Sequence, residues 1–315
     1  MSSSPPATGV RMRFGDLPPR IRAEVEARAG ADIVAAADQV GGFSPGAAAR
    51  LRLADGSRIF VKAAGAGLNP RTPEMYREEV RTLAALPPAA PTPRLLWAYD
   101  DGDWVALGME DIEGRQPHLP WRRHELDRVL AALDRMAAAL TPAPAGAADV
   151  RDSMAELFSG WRTLAGDPPA DLDEWTRRHL TRLAELEERW PAYAGGDTLL
   201  HLDLRADNLL VDLDGGVWVV DWGQAARGAA WIDTVLFVAS VIRDSPVDPD
   251  ALLRSCALGA SAPAAGVDAV VCALAGYFAQ RSRQPAPPGL PTLREFQRPY
   301  AASTLTWVRR RTGWT

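Results

Sequence analysis

His201-Leu202-Asp203-Leu204-Arg205-Ala206-Asp207-Asn208, followed a short way on by Val219-Val220-Asp221-Trp222-Gly223, decides how this chain is read. The stretch sets out an acid, then an amide, then a second acid in an Asp-aromatic-Gly turn. Catalysts of phosphoryl transfer use that order. In it, Asp203 would take the proton of an attacking hydroxyl, while Asn208 and Asp221 would hold a magnesium ion. Either motif alone matches by chance; the two together are far more specific. Arg205 stands where its charge offsets Asp203 or the transferring phosphate.

Residues 208–213 and 216–221 form two apolar, strand-like runs around Asp214-Gly215, the strongest short hairpin signal. With Asp214 and Gly215 as the two turn residues, Leu213 faces Gly216, Asp212 faces Val217 and Asn208 faces Asp221. Opposed side chains have Cβ atoms about 5 Å apart. That spacing lets an amide and a carboxylate share a hard cation that also takes phosphate oxygens. A turn at Gly215-Gly216 would change the pairing. His201 is expected to hold the loop by hydrogen bonds, and Trp222 to pack beneath it.

A phosphate-binding half should lie upstream. Gly41-Gly42-Phe43-Ser44-Pro45-Gly46 is glycine-rich and leads into a strand-like run, an Asp55-Gly56 turn and a second run, Phe60-Val61-Lys62. Glycines allow close backbone approach to phosphates, which makes Gly42 and Ser44 candidates. Lys62 would add a compact positive charge. Residues 72–86 then read as a helix with Thr72 as N-cap, Pro73 at the first helical position and Pro87-Pro88 as its stop. Glu79 shares a face with Met75, Leu83 and Leu86, so it points inward and is the expected partner of Lys62. Glu78 points toward water. The segment 104–114 is an apolar strand running into a connector.

With these residues quoted, the chain resembles the aminoglycoside phosphotransferase and choline kinase-like family from about Gly41 to about Phe237. The resemblance implies an α+β, bilobal, protein-kinase-like fold: a small antiparallel sheet plus a helix, then a larger, mainly helical C-terminal lobe. It implies ATP and Mg²⁺ as cofactors, Asp203 as base, Asn208 and Asp221 as metal ligands, and Lys62 as the phosphate-binding lysine. It also places the connector backbone at Glu110 and Ile112 against the adenine edge. The family usually has Gly where this chain has Leu202. The resemblance further makes Asp233 a structural residue capping the helix that follows. The expected organisation is a disordered tail over 1–13, a nucleotide-binding lobe over 14–111 and a helical lobe over 112–315.

The expected acceptor is a hydroxyl of a small molecule: an aminoglycoside-like antibiotic, an amino alcohol or a sugar-like metabolite. Only residues 224–228 separate the Asp-Trp-Gly turn from the next helix, and no Ala-Pro-Glu follows, which disfavours a protein Ser/Thr kinase. A non-catalytic nucleotide-binding module is disfavoured because Lys62, Glu79, Asp203, Asn208 and Asp221 are all present.

A net charge of −5 argues against a nucleic-acid partner and suits a cationic acceptor. No uncharged apolar run reaches membrane-spanning length, and the N-terminus has no signal-peptide pattern, so a cytoplasmic monomer or homodimer is expected. Cys256 and Cys272 read as reduced core residues. Of the 11 tryptophans, only Trp161, Trp175 and Trp231 are candidates to line a substrate cleft. Asp152, Glu156, Asp171 and Asp173 read as solvated helix faces.

Overall fold

The computed structural model describes residues 9–315. The first elements are β1 (Arg11–Met12), α1 (Pro19–Ala29), β2 (Ile33–Asp38), β3 (Gly46–Leu53), β4 (Arg58–Gly65), α2 (Arg71–Ala85), β5 (Leu95–Asp100) and β6 (Trp104–Glu110). They build one six-stranded sheet in the order β1-β3-β4-β6-β5, with β2 also paired to β3. All neighbours are antiparallel except β1, which runs parallel to β3. Along β4 the period of two sends Ile59, Val61 and Ala63 into a core with Ile21 and Val25 of α1. Phe60 and Lys62 therefore face the other way.

The tail expected over 1–13 needs correction. Residues 1–8 lie outside the described residues, but Arg11 and Met12 pair with Gly46 and Ala47 at the sheet edge. The start of α2 also differs from expectation: the helix begins at Arg71, and Asn69 Oδ1 accepts from the Arg71 N–H at 3.0 Å. Pro73 falls in the first turn, where its missing N–H leaves no helical bond unmade.

The second part is mainly helical: β7 (Gly114–Arg115), α3 (Arg123–Ala139), α4 (Val150–Met154), α5 (Gly160–Gly166), α6 (Glu174–Glu187), α7 (Trp190–Ala194) and β8 (Thr198–Leu200). Then come β9 (Leu209–Asp212), β10 (Val217–Val219), β11 (Ala226–Gly228), α8 (Trp231–Asp244), α9 (Pro249–Arg254), α10 (Ala257–Ser261), α11 (Ala264–Arg281) and α12 (Leu293–Thr312). Helices α8 and α11 are apolar nearly all round and fill the centre of a large core. Trp161 sits in that core with its Nε1 donating to the Cys272 carbonyl (2.8 Å), so it lines no cleft. Trp175 packs against Trp314, and Trp231 is buried as well. Cys256 and Cys272 are free and buried. No described helix is long and apolar enough to cross a membrane.

The hairpin register is shifted by one residue from the two-residue turn. Val211 faces Val217, Leu210 faces Trp218 and Leu209 faces Val219. The loop has three residues, 213–215, with Gly215 at φ +83°, the geometry of a turn closed by a left-handed glycine. The Asp212 carboxylate selects it by accepting from the N–H groups of Asp214 (3.0 Å) and Gly216 (2.7 Å) and from Trp218 Nε1 (2.8 Å). Asn208 therefore lies opposite Val220, whose N–H donates to its carbonyl at 3.0 Å, and not opposite Asp221.

Candidate active site

A cleft of about 1000 Å³, including the solvent at its mouth, runs between the sheet and the helical part. Gly42, Ser44, Lys62 and Glu79 line it from the sheet side, Glu110 and Ile112 from the connector, and Asn208 and Asp221 from below. Asp203 and Arg205 are not among the lining residues; they stand one loop away, joined to the cleft through Asn208.

Lys62 Nζ donates to both Glu79 oxygens, at 2.7 and 2.8 Å, and to Asp221 Oδ1 at 3.0 Å. Glu79 is 1% exposed, whereas Glu78 lies on the solvent face and pairs with Arg81. Burial alone would lower the Lys62 pKa, but Asp221 and Glu79 outweigh it and raise it, so the ammonium stays charged. Asp221 is driven the other way: burial pushes its pKa up, Lys62 pulls it down, and it settles at about 2. With the register shifted, Asp221 joins Lys62 by leaving the strand ladder. Its φ of +72° swings the carboxylate toward the sheet.

The Asp203 loop is held from beneath. Asp233 accepts from the His201 N–H (2.7 Å) and the Leu202 N–H (2.9 Å), so it clamps this loop and does not cap α8. The Asp203 N–H donates to His201 Nδ1 (3.2 Å), which leaves the proton on Nε2 to donate to the Val220 carbonyl (2.9 Å). Burial lowers the His201 pKa and keeps the ring neutral. Trp222 lies beneath, fully buried and edge-on to His201. Leu202 has φ +65°, a region that costs a non-glycine residue about 1–2 kcal/mol. Its side chain is 8% exposed, and burying a leucine contributes about 1.5–3 kcal/mol. Packing offsets the strain, which accounts for Leu at a position suited to Gly.

Asp203 itself is ringed by donors. Asn208 Nδ2 donates to its carbonyl (2.8 Å) and to Oδ2 (3.0 Å), and Arg205 Nη1 donates to Oδ1. Arg205 also grips Asp207 at 2.9 Å. Burial pushes the Asp203 carboxyl up to about 6, with Arg205 opposing. Replacing Asp233 by Ala would orphan two buried N–H groups at about 1–3 kcal/mol each. The variant is expected to melt several degrees lower and to lose turnover while binding nucleotide normally. A melting curve beside an ADP titration checks both.

Arg11, Tyr76 and Thr92 are among the cleft residues that escaped the sequence reading. Arg11 donates to the Gly41 carbonyl (Nε, 3.0 Å) and the Ser44 carbonyl (2.6 Å), which fixes the glycine-rich loop. Gly42 has φ +89°, the left-handed region that favours glycine, and a Cβ there would also crowd Arg11 Nη2 at 2.5 Å. Tyr76 and Thr92 are buried, line the cleft, and carry hydroxyls with no hydrogen-bond partner among the described residues. Tyr76 is three residues before Glu79 on one helical face, a signal that was available. Arg11 gave no local signal, because its role depends on a parallel pairing across 35 residues of chain (Arg11 with Gly46).

A small sheet with one buried Lys–Glu pair, set over a helical body that supplies an acidic loop, defines a bilobal protein of the kinase-like class. The chain belongs to the phosphotransferase enzyme family (APH), whose model matches residues 42–266. No curated protein sequence matches it. A thermostable mutant of the aminoglycoside phosphotransferase APH(4)-Ia, solved as a ternary complex with ADP and hygromycin B, superposes with a TM-score of 0.63 at 13% identity, over 93% of this chain and 99% of that one. APH(2")-IIia, solved with GDP and kanamycin, gives 0.58 at 14% identity, over 94% and 99%. Choline kinase LicA from Streptococcus pneumoniae gives 0.61 at 13% identity, over 91% and 99%.

Proposed function

We propose that this protein moves the γ-phosphate of ATP to a hydroxyl of a small molecule, with the described residues up to 111, including β1, as the nucleotide lobe and 112–315 as the catalytic and acceptor lobe. The observation that carries this reading is the meeting of Lys62 with Glu79 and Asp221 at 2.7–3.0 Å beneath a glycine-rich loop. The solved nucleotide complexes of similar fold support nucleotide binding.

The donor set suits Mg²⁺. Asn208 spends its Nδ2 on Asp203, and among the described residues its Oδ1 and the Asp221 Oδ2, beside the oxygen given to Lys62, have no partner. Mg²⁺ is commonly held by one or two such ligands plus substrate phosphates. When bound, the ion would neutralise charge on the phosphates. Lys62, held by Glu79, presents its ammonium to the same phosphates. The Ile112 carbonyl is already taken by Arg50 Nη2 (3.1 Å), so contact with the base at that residue falls to its N–H. Asp203, once ionised, orients the acceptor hydroxyl and accepts its proton, while Arg205 offsets the charge of the loop.

Acceptor-dependent release of ADP from Mg·ATP, measured on purified protein with a pooled set of hydroxyl compounds, tests the reading. The expected result is turnover above the rate with water alone. Nucleotide binding with no turnover for any acceptor would favour a regulatory module, and incorporation of phosphate into protein would favour a protein kinase.

A further inference from the structure

A guanidinium group is seated against the glycine-rich loop. Arg11 Nε and Nη2 both donate to the Gly41 carbonyl, the first at 3.0 Å, and Nη1 donates to the Ser44 carbonyl at 2.6 Å. The chain that carries Arg11 is fixed on both sides. Arg11 pairs with Gly46 of β3, the Gly9 N–H donates to the Gly42 carbonyl at 3.0 Å, and the Val10 N–H donates to the Gly289 carbonyl at 3.0 Å. Arg11 is half-buried and lines the same cleft as Lys62 and Asp221.

The other charged groups that line this cleft are already paired. Lys62 meets Glu79 at 2.7 Å and Asp221 at 3.0 Å. Arg50 meets Asp111 at 3.2 Å, Glu110 is held by Arg94, and Asp207 is held by Arg205 at 2.9 Å. Among the described residues Arg11 has no carboxylate partner. Carbonyl oxygens fix a guanidinium without cancelling its charge. A guanidinium carries five N–H donors. The two carbonyls take three of them, which leaves one on each Nη. Such a pair of donors on a planar cation matches two oxygens of a phosphate. Lys62, by contrast, sets one positive charge against two carboxylates, so that trio alone offers phosphates no net positive charge.

Position along the cleft picks the phosphate. Glu110 and Ile112 line the connector end, where the base would lie. Gly42 and Ser44 belong to the tip of the glycine-rich loop. Phe43 between them meets Phe296 of α12 edge-on, with ring centroids 4.7 Å apart, so the tip leans toward the helical lobe. Resting on the phosphotransferase reading, we propose that Arg11 binds the γ-phosphate through its two remaining N–H donors, while Lys62 serves the phosphates nearer the base. Arg11 is then a ligand of the group to be transferred as well as a brace for the loop. Charge that develops on the γ-phosphate oxygens would meet a fixed cation there.

Titration of the full chain with Mg·ADP and with the Mg²⁺ complex of a non-hydrolysable ATP analogue tests this, because the two ligands differ by the γ-phosphate. The ratio of the two affinities is the readout. R11Q should weaken the analogue about 10- to 100-fold, the scale of a lost hydrogen bond to a charged group, and change ADP affinity by no more than about twofold. R11K, which keeps the charge but loses the fork, should show a smaller loss, again confined to the analogue.

A brace that only shapes the loop would cost both nucleotides alike. A fall in the ratio supports the proposal; equal losses for the two nucleotides, or no loss for either, overturn it. Each variant is first melted without nucleotide. Should R11Q fail to fold, R11K carries the comparison on the same terms. Failure of the kinase reading registers separately, in the wild type, as the absence of Mg²⁺-dependent binding of either nucleotide.

Discussion

Asp203→Asn is expected to cut acceptor-dependent ADP release by about 10²–10⁴, the usual contribution of a positioned base, while leaving Mg·ATP binding close to wild type. Asn keeps the size of the side chain and can still meet Asn208 Nδ2, but it cannot take a proton. The carboxyl sits at about 6, so in the wild type kcat/KM should climb roughly tenfold per pH unit below that value and level off above it. The same shift has a consequence for folding. A carboxyl whose folded pKa lies above its unfolded value binds protons more tightly when folded, so it favours folding at low pH. That contribution is lost as pH rises from about 4 to about 6. Asp203→Asn should therefore flatten the fall in stability across that window and melt higher than wild type at pH 7. Turnover unchanged by the substitution, at any pH, would remove Asp203 from the mechanism.

Asp221→Ala should weaken Mg·ATP binding by about 100-fold, a loss on the scale seen when metal sites are damaged, and should erase the difference between titrations with Mg²⁺ and with EDTA. In the proposed site Asp221 would contribute twice, since one oxygen meets Lys62 at 3.0 Å and the other would take the ion. Lys62 keeps both oxygens of Glu79 in the variant, so the protein should still fold. Calorimetric titration with a non-hydrolysable ATP analogue makes the comparison. Affinity that is insensitive to both the metal and the substitution would count against the proposed ligand.

Lys62 and Glu79 could be read from the sequence because they lie on regular elements. The period of strand β4 turns Lys62 away from the α1 core, and the face of α2 picks Glu79 over Glu78. The helix from Pro19 to Ala29 ends on Gly30 in the left-handed conformation, as its glycine suggests. The hairpin was misread by one residue because Asp212 spends its carboxylate on the turn, and a side chain that bonds its own backbone is invisible to a two-residue rule. Even so, Asp221 reached Lys62, through a local backbone conformation and not through register. Asp233 was misassigned because its partners, the His201 and Leu202 N–H groups, lie about 30 positions upstream.

The Asn69 side chain donates to the Pro288 carbonyl (2.9 Å), the Val10 N–H donates to the Gly289 carbonyl (3.0 Å), and Phe43 of the glycine-rich loop meets Phe296 of α12 edge-on. The glycine-rich loop and the start of α2 are thereby sewn to the proline-rich segment that leads into α12. On the proposed reading, the loop above the nucleotide and the entrance to α12 would have to move together.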